Sequence, residues 1–168
     1  QMVTALRQGV LVPWHKQQPE DLKSALDLLQ ADQGGLVYQP TPGLHRDVAE
    51  IDFVSMYPSI MVRFNISPET ARSQPPPEFA SGLQRVPELG LWIDLEKRGL
   101  VPETLAPLLG KRIQLKDRLN YLKPWDPRRA RYKAQASAHK WLLVTCFGYL
   151  GYKNARFGRI EAHEAVTA

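Results

Sequence analysis

An aspartate that ends an apolar run just before a helix is a favoured place to hold a hard cation. Residues 50 to 60 read Glu-Ile-Asp-Phe-Val-Ser-Met-Tyr-Pro-Ser-Ile. A strand ending near Asp52 would fix its carboxylate. A helix beginning near Met56 would offer unpaired backbone N–H groups to an anion such as a triphosphate. Taken alone, Asp52 reads as readily as a helix cap, and Tyr57 as core filler.

A second group of residues suits phosphate. Arg112 and Lys116 stand at i and i+4, on one face of a predicted helix. Further on, Lys140, Val144, Phe147 and Gly151 share a face of another. Two cations opposite a third would clamp phosphates, although the same three residues also fit a merely solvated basic stretch. Between Gly110 and Lys140 there are ten Lys/Arg against two acids, in a chain whose net charge is only +5. A solvated helix face mixes signs, so this concentration points to a polyanionic partner.

Rival chemistries find little support. His15, His45, His139 and His163 are scattered, and none has a zinc-type spacing with Cys146. His163, with Glu161 and Glu164, is expected on an exposed helix face. No glycine-rich phosphate loop or serine-nucleophile elbow occurs. Cys146 lies among apolar residues and is expected to be a buried, inert thiol, in keeping with a reducing cytoplasm. No apolar run approaches the ~18 residues needed to cross a bilayer, and no secretory leader opens the chain. The start at Gln1 and the end within a helix, 160–168, read as those of a fragment.

The elements that must position these groups follow from periodicity and turn chemistry. A helix is expected over 19–30. Short strands are expected at 36–38 and 48–54, paired as a wide hairpin across the turn at Pro40-Thr41-Pro42-Gly43. From Met56 to Phe64 the spacing turns helical, and 74–87 reads as an irregular proline-rich excursion. A helix starting at Pro102-Glu103 carries an apolar stripe from Leu105 to about Leu122. Pro124 stops it, Asp126-Pro127 caps the next helix, and Gly148 is expected to end that one. The pair forms an αα-hairpin.

These residues resemble family B DNA polymerases. Asp52-Phe-Val-Ser-Met-Tyr-Pro-Ser-Ile-Met is similar to that family's motif A, Asp-x-x-Ser-Leu-Tyr-Pro-Ser-Ile-Ile. Gly34-Gly-Leu-Val-Tyr and Pro42-Gly-Leu before it, and Asn65-Ile-Ser-Pro-Glu-Thr after it, are also similar to the family. Residues 140–152 resemble motif B, Lys-x-x-x-Asn-Ser-x-Tyr-Gly, which Asn154-Ala-Arg-Phe-Gly continues. Arg112-x-x-x-Lys116 matches the phosphate-binding pair of the first fingers helix.

The resemblance implies an α+β fold: a partial palm with an antiparallel sheet, plus a two-helix antiparallel fingers hairpin. Residues 1–104 would be the N-terminal part of the palm, 105–150 the fingers, and 151–168 the return to the palm. It implies that Asp52 and the Phe53 carbonyl bind two Mg²⁺ ions, with a second aspartate from outside this chain. The backbone of Ser55 and Met56 would hold the β- and γ-phosphates, and Tyr57 would lie under the sugar and exclude a 2′-hydroxyl. Arg112, Lys116 and Lys140 would grip the dNTP triphosphate, with Lys140 giving a proton to pyrophosphate in a two-metal nucleotidyl transfer onto a DNA primer-template. Val144, Phe147 and Gly148 would border the nascent base pair.

Two departures stand out there: Val144 replaces the motif's asparagine and Phe147 its tyrosine. In this the chain is similar to a divergent archaeal branch with reduced or lost activity. The fragment alone is expected to be inactive, to expose apolar palm surface and to self-associate. The competing expectation is a non-catalytic nucleic-acid-binding scaffold derived from a polymerase. A nucleotidyltransferase serving protein priming has no specific support.

Overall fold

A computed structural model describes residues 1–16, 23–27, 38–73 and 81–168. In chain order the elements are α1 (Met2–Arg7), α2 (Met56–Arg63), β1 (Ala71–Arg72), β2 (Leu83–Arg85), β3 (Trp92–Asp94), α3 (Leu100–Tyr121), α4 (Arg128–Leu150) and α5 (Ile160–Thr167). The fold is α+β. The strands form one antiparallel sheet in the order β1-β3-β2, with Ala71 opposite Ile93 and Gln84 opposite Ile93 on the other side.

The expected αα-hairpin is present as α3 and α4, packed along each other and joined by a short loop. Apolar residues at helical spacing drive this packing. Leu105, Leu109 and Leu115 of α3 and Leu143 and Leu150 of α4 are buried, and most join Met61, Ile66 and Ile93 in the main core. Each such side chain contributes about 1.5–3 kcal/mol relative to exposure.

The start of α3 is held by residues distant in sequence. Its N-cap, Gly99, offers no side chain, so the first N–H groups need acceptors from elsewhere. The Leu100 N–H donates to Glu69 Oε1, and the Val101 N–H to Ser67 Oγ at 3.2 Å. The Glu69 carboxylate also suits the positive end of the helix dipole. Asn65 completes the junction: its Oδ1 accepts from the Gly99 N–H at 2.8 Å, and its Nδ2 donates to the carbonyls of Asp94 at 2.7 Å and Lys97 at 2.8 Å. Asn65 has φ 57°, a left-handed conformation that asparagine tolerates better than most residues. Gly99 is required here by close approach, because a Cβ would lie 2.6 Å from Ser67 Cβ.

The structure corrects several expectations. Residues 48–54 form no strand. Backbone pairing makes a strand, and among the described residues none runs alongside this segment. Val48, Ile51 and Phe53 are accordingly exposed, as is other apolar surface such as Leu11. The helix expected at 19–30 and the strand at 36–38 lie mostly outside the described residues. Within the stretch read as irregular, 83–85 pairs with β3. Helix α3 begins at Leu100, two residues before Pro102-Glu103, because its cap comes from Ser67 and Glu69 rather than from local residues. Gly148 does not end α4, which runs to Leu150 and stops at Gly151. The helical conformation suits glycine sterically, and a Cβ at Gly148 would meet nothing within 4 Å.

The α3–α4 loop follows its turn chemistry. Asp126 Oδ1 accepts from the Arg128 backbone N–H at 2.9 Å, and its carboxylate is gripped by the Arg128 guanidinium at 3.0 and 2.7 Å. Those hydrogen bonds, the side-chain ones foremost, lower the Asp126 carboxyl to about 2.

Two predictions follow from these junctions. Asn65→Ala leaves buried carbonyls and an N–H unpaired and is expected to lower unfolding free energy by about 3 kcal/mol; urea denaturation followed by circular dichroism measures it, and an unchanged midpoint would refute the junction's role. The Asp126 carboxyl is depressed in the folded chain, so its stabilising contribution is present above the unfolded value of about 3.9 and is lost as pH falls toward 2. Carboxyl-carbon NMR should give a midpoint near 2 that rises toward the ordinary range in Arg128→Ala; a midpoint near 4 in the unmutated chain contradicts it.

Candidate functional site

The turn from 54 to 56 brings the first group of residues to α3. Ser55 is the N-cap of α2 and adopts φ 51°, ψ 55°, left-handed for a residue with a Cβ. That conformation costs about 1–2 kcal/mol. The turn is braced by Ser59, whose Oγ donates to the Val54 carbonyl at 2.7 Å. The Ser55 side chain then receives a hydrogen bond from Arg112 Nη1 at 2.6 Å, joining positions 57 apart in sequence. Arg112 Nε is buried and has no acceptor among the described residues. A guanidinium therefore lies against the start of α2 with a donor unused.

Asp52 lies in the extended segment just before this turn. It is exposed and makes no hydrogen bond or ion pair among the described residues. Phe53 beside it is exposed, as is Met56. Among the described residues, no three His, Cys, Asp or Glu side chains gather where a metal could sit. Asp52 supplies one carboxylate, which suits a hard cation but does not make a site by itself. Lys116 and Lys140 are exposed on α3 and α4, without hydrogen-bonding or ionic partners among the described residues.

Tyr57, Phe147 and His163 form a column of rings that joins α2, α4 and α5. The Tyr57 and Phe147 centroids are 4.4 Å apart, and those of Phe147 and His163 are 4.2 Å apart with planes inclined by 21°. Such close ring pairs contribute about 0.5–1.5 kcal/mol beyond their burial. The expectation of an exposed His163 is therefore wrong: the side chain is buried, as are Glu161 and Glu164. Helix α5 is covered on more than one side, with Ala162, Ala165 and Val166 also in the interior. Arg159 Nε donates to Glu161 Oε2 at 2.9 Å, and Lys23 Nζ reaches Glu164 Oε1 at 2.6 Å. The signal in the sequence was the small, apolar remainder of that helix, which matches no solvent-facing stripe.

Val144 is 50% exposed and Gly148 is exposed. Cys146 is half-buried, and burial pushes its thiol up, which keeps it protonated and inert. No helix among the described residues is long and apolar enough to cross a membrane.

Comparison with known proteins decides the family. The family profile described as DNA polymerase family B matches residues 2–168. The chain belongs to that family. Among similar family B polymerases, the DNA polymerase 2 of Saccharolobus solfataricus is 37% identical over 163 residues, which is 97% of this chain and 22% of that protein. The DNA polymerase of Archaeoglobus fulgidus is 32% identical over 171 residues, 99% of this chain and 21% of that protein. A solved family B DNA polymerase from the hyperthermophilic archaeon Pyrobaculum calidifontis superposes with a TM-score of 0.70 at 29% identity, covering 99% of this chain and 21% of the other. The chain thus spans about a fifth of the length of these relatives.

The Ser55 side chain was not among the expected contributors, since the resemblance assigned only its backbone. Two substitutions separate its hydrogen bond from its conformation. Ser55→Ala loses the Arg112 bond and keeps the left-handed cost, whereas Ser55→Gly loses the bond and relieves it. Ser55→Gly is expected to be more stable than Ser55→Ala by about 1 kcal/mol in urea denaturation. The reverse order would show that the turn is not held left-handed.

Proposed function

We propose that this chain is the palm-and-fingers portion of a template-directed DNA polymerase, which transfers a nucleotidyl group from a dNTP to a primer 3′-hydroxyl. The observation that carries the reading is the Arg112–Ser55 hydrogen bond, which seats a cation from the fingers helix on the turn after Asp52. Residues 1–104 and 151–168 supply palm, and 105–150 supply fingers.

In this reading the unused Arg112 Nε–H, with Lys116 and Lys140, receives the triphosphate. Charge-assisted bonds from a guanidinium fork and two ammonium groups suit its oxygens. The backbone N–H groups at Ser55 and Met56 open toward the β- and γ-phosphates at the start of α2. Tyr57, its ring set by Phe147, lies beneath the sugar. The primer 3′-hydroxyl gives its proton to water, its oxygen forms a bond to the α-phosphorus as the bond to pyrophosphate breaks, and Lys140 gives the leaving group a proton. Asp52 and the Phe53 carbonyl hold Mg²⁺ together with an aspartate outside this chain. The metal supplies charge neutralisation on the phosphates and a more acidic 3′-hydroxyl. The isolated chain is inactive for want of the second carboxylate, and its exposed Leu11, Ile51 and Phe53 favour self-association.

A second reading has one observation behind it. Val144 and Phe147 give the motif B face no polar side chain at either position, which suits a non-catalytic nucleic-acid-binding scaffold.

Primer extension with Mg²⁺ distinguishes them. The 168-residue chain should extend nothing. A parent-length protein should extend a primer, lose this on Asp52→Ala, and lose about 100-fold on Arg112→Ala. Robust incorporation by the short chain, or an Asp52→Ala parent as active as wild type, overturns the first reading. A parent that binds primer-template without extending it supports the second.

A further inference from the structure

The tip of the α3–α4 hairpin concentrates rings and cations away from Arg112. Tyr121, the last residue of α3, is 89% exposed, and Trp125 in the loop is 77% exposed. Large rings are ordinarily drawn into an interior, and here both stand in water on a structured tip. Arg129 Nη1 donates to the carbonyls of Leu119 at 2.8 Å and Leu122 at 3.0 Å, closing the end of α3. The Asp126 N–H donates to the Lys123 carbonyl at 3.0 Å, which closes the turn itself. The rings are therefore presented by a braced loop.

The charges around them are predominantly positive, with Asp117, one turn before Tyr121, and Asp126 as the acids. Lys123 Nζ lies 5.6 Å from the Trp125 ring centroid, and the Arg118 guanidinium 6.0 Å from that of Tyr132. Asp126 is the one acid between Arg118 and Lys133, and its charge is taken up by Arg128 at 2.7 Å. Lys123, Arg131 and Lys133 remain exposed. At 1.5 Å per residue, Tyr121 lies about 14 Å along α3 from Arg112, too far to share one triphosphate.

We propose that the hairpin tip binds unpaired nucleic acid, with bases stacking on Trp125 and Tyr121 while Lys123, Arg131 and Lys133 neutralise the flanking phosphates. Exposed rings among cations match a single strand, whose bases offer free faces. A duplex hides those faces, and an acidic polypeptide would use the cations but not the rings. The proposal goes beyond the nucleotide site and does not need catalysis.

Fluorescence anisotropy of labelled oligo(dT), with the 168-residue chain and neither nucleotide nor Mg²⁺, tests it apart from primer extension. Oligo(dT) should bind more tightly than a duplex of equal length. Tyr121→Ala with Trp125→Ala should weaken oligo(dT) binding about 10- to 100-fold while leaving heparin binding unchanged. Tyr121→Phe with Trp125→Phe should restore most of the loss. Lys123→Ala, Arg131→Ala and Lys133→Ala together remove three phosphate contacts and should flatten the slope of log K against log salt by about 2. Circular dichroism confirms folding of each variant. The proposal fails if the double alanine variant binds oligo(dT) like wild type, if oligo(dT) and heparin binding fall together, or if duplex is preferred.

Discussion

The capping of α3 by a distant loop is the constraint on which the rest of the structure depends. A helix that begins at glycine has no side chain of its own to meet its first N–H groups, and Ser67 and Glu69 meet them instead. Asn65 bonds the loop, the cap residue and the end of β3 into one unit, and it directly follows the last turn of α2. Arg112 stands twelve residues along α3, about 18 Å from that start. A helix is stiff over this length, so fixing its origin fixes where the guanidinium arrives. It arrives at Ser55, at the other end of α2. Helix α2 is thus held at both ends by α3, one end by a cap and the other by a cation.

That arrangement concentrates local cost where the proposed chemistry is. Ser55 keeps a left-handed backbone that glycine would adopt freely, and Arg112 Nε is buried without an acceptor among the described residues. Neither feature improves the isolated fold; an unpaired buried donor alone costs about 1–3 kcal/mol. Both make sense if an anion completes the site, because a phosphate oxygen would satisfy the spare donor and lie near the N–H groups that the Ser55 turn opens. Costs of this kind persist only where the surroundings over-determine them. Here the surroundings are the Asn65 junction on one side and the ring column on the other.

The α3–α4 hairpin was legible because its determinants are local: a leucine stripe at helical spacing, a proline stop and an Asp-Pro pair just before the second helix, which starts at Arg128, one residue later than expected, with its N–H bonded to Asp126. Asn65-Ile-Ser-Pro-Glu-Thr was legible as a motif, but not as a cap, since nothing in the spacing tells which distant helix it serves. Residues 48–54 have the composition of a strand and none of its hydrogen bonds, because a strand is a property of a pair and the described residues supply no partner. His163 was misread for a related reason. A short helix with Glu161, His163 and Glu164 reads as solvated until its neighbours are known, and here Arg159, Lys23 and Phe147 bury all three. Asp52 could be placed before a turn, yet among the described residues it gathers no cluster of three potential metal ligands, and spacing alone does not supply one.

The two departures in motif B differ in physical weight. Phe147 packs against both Tyr57, at 4.4 Å between centroids, and His163, at 4.2 Å, so a phenyl there fulfils a packing role that needs no hydroxyl. Gly151 is part of the same adaptation, since a Cβ there would come within 3.1 Å of the His163 ring. Losing the tyrosine hydroxyl is therefore compatible with a well-ordered Tyr57. Val144 has no such account. It is one turn from Lys140 on the same helix, half-exposed, and belongs to no core cluster or ring pair among the described residues. Beside a cation proposed to bind phosphate, an apolar side chain offers no hydrogen-bonding group and gains no compensating core contact among the described residues. Under the proposed function, the choice between polymerase and scaffold turns on Val144 more than on Phe147.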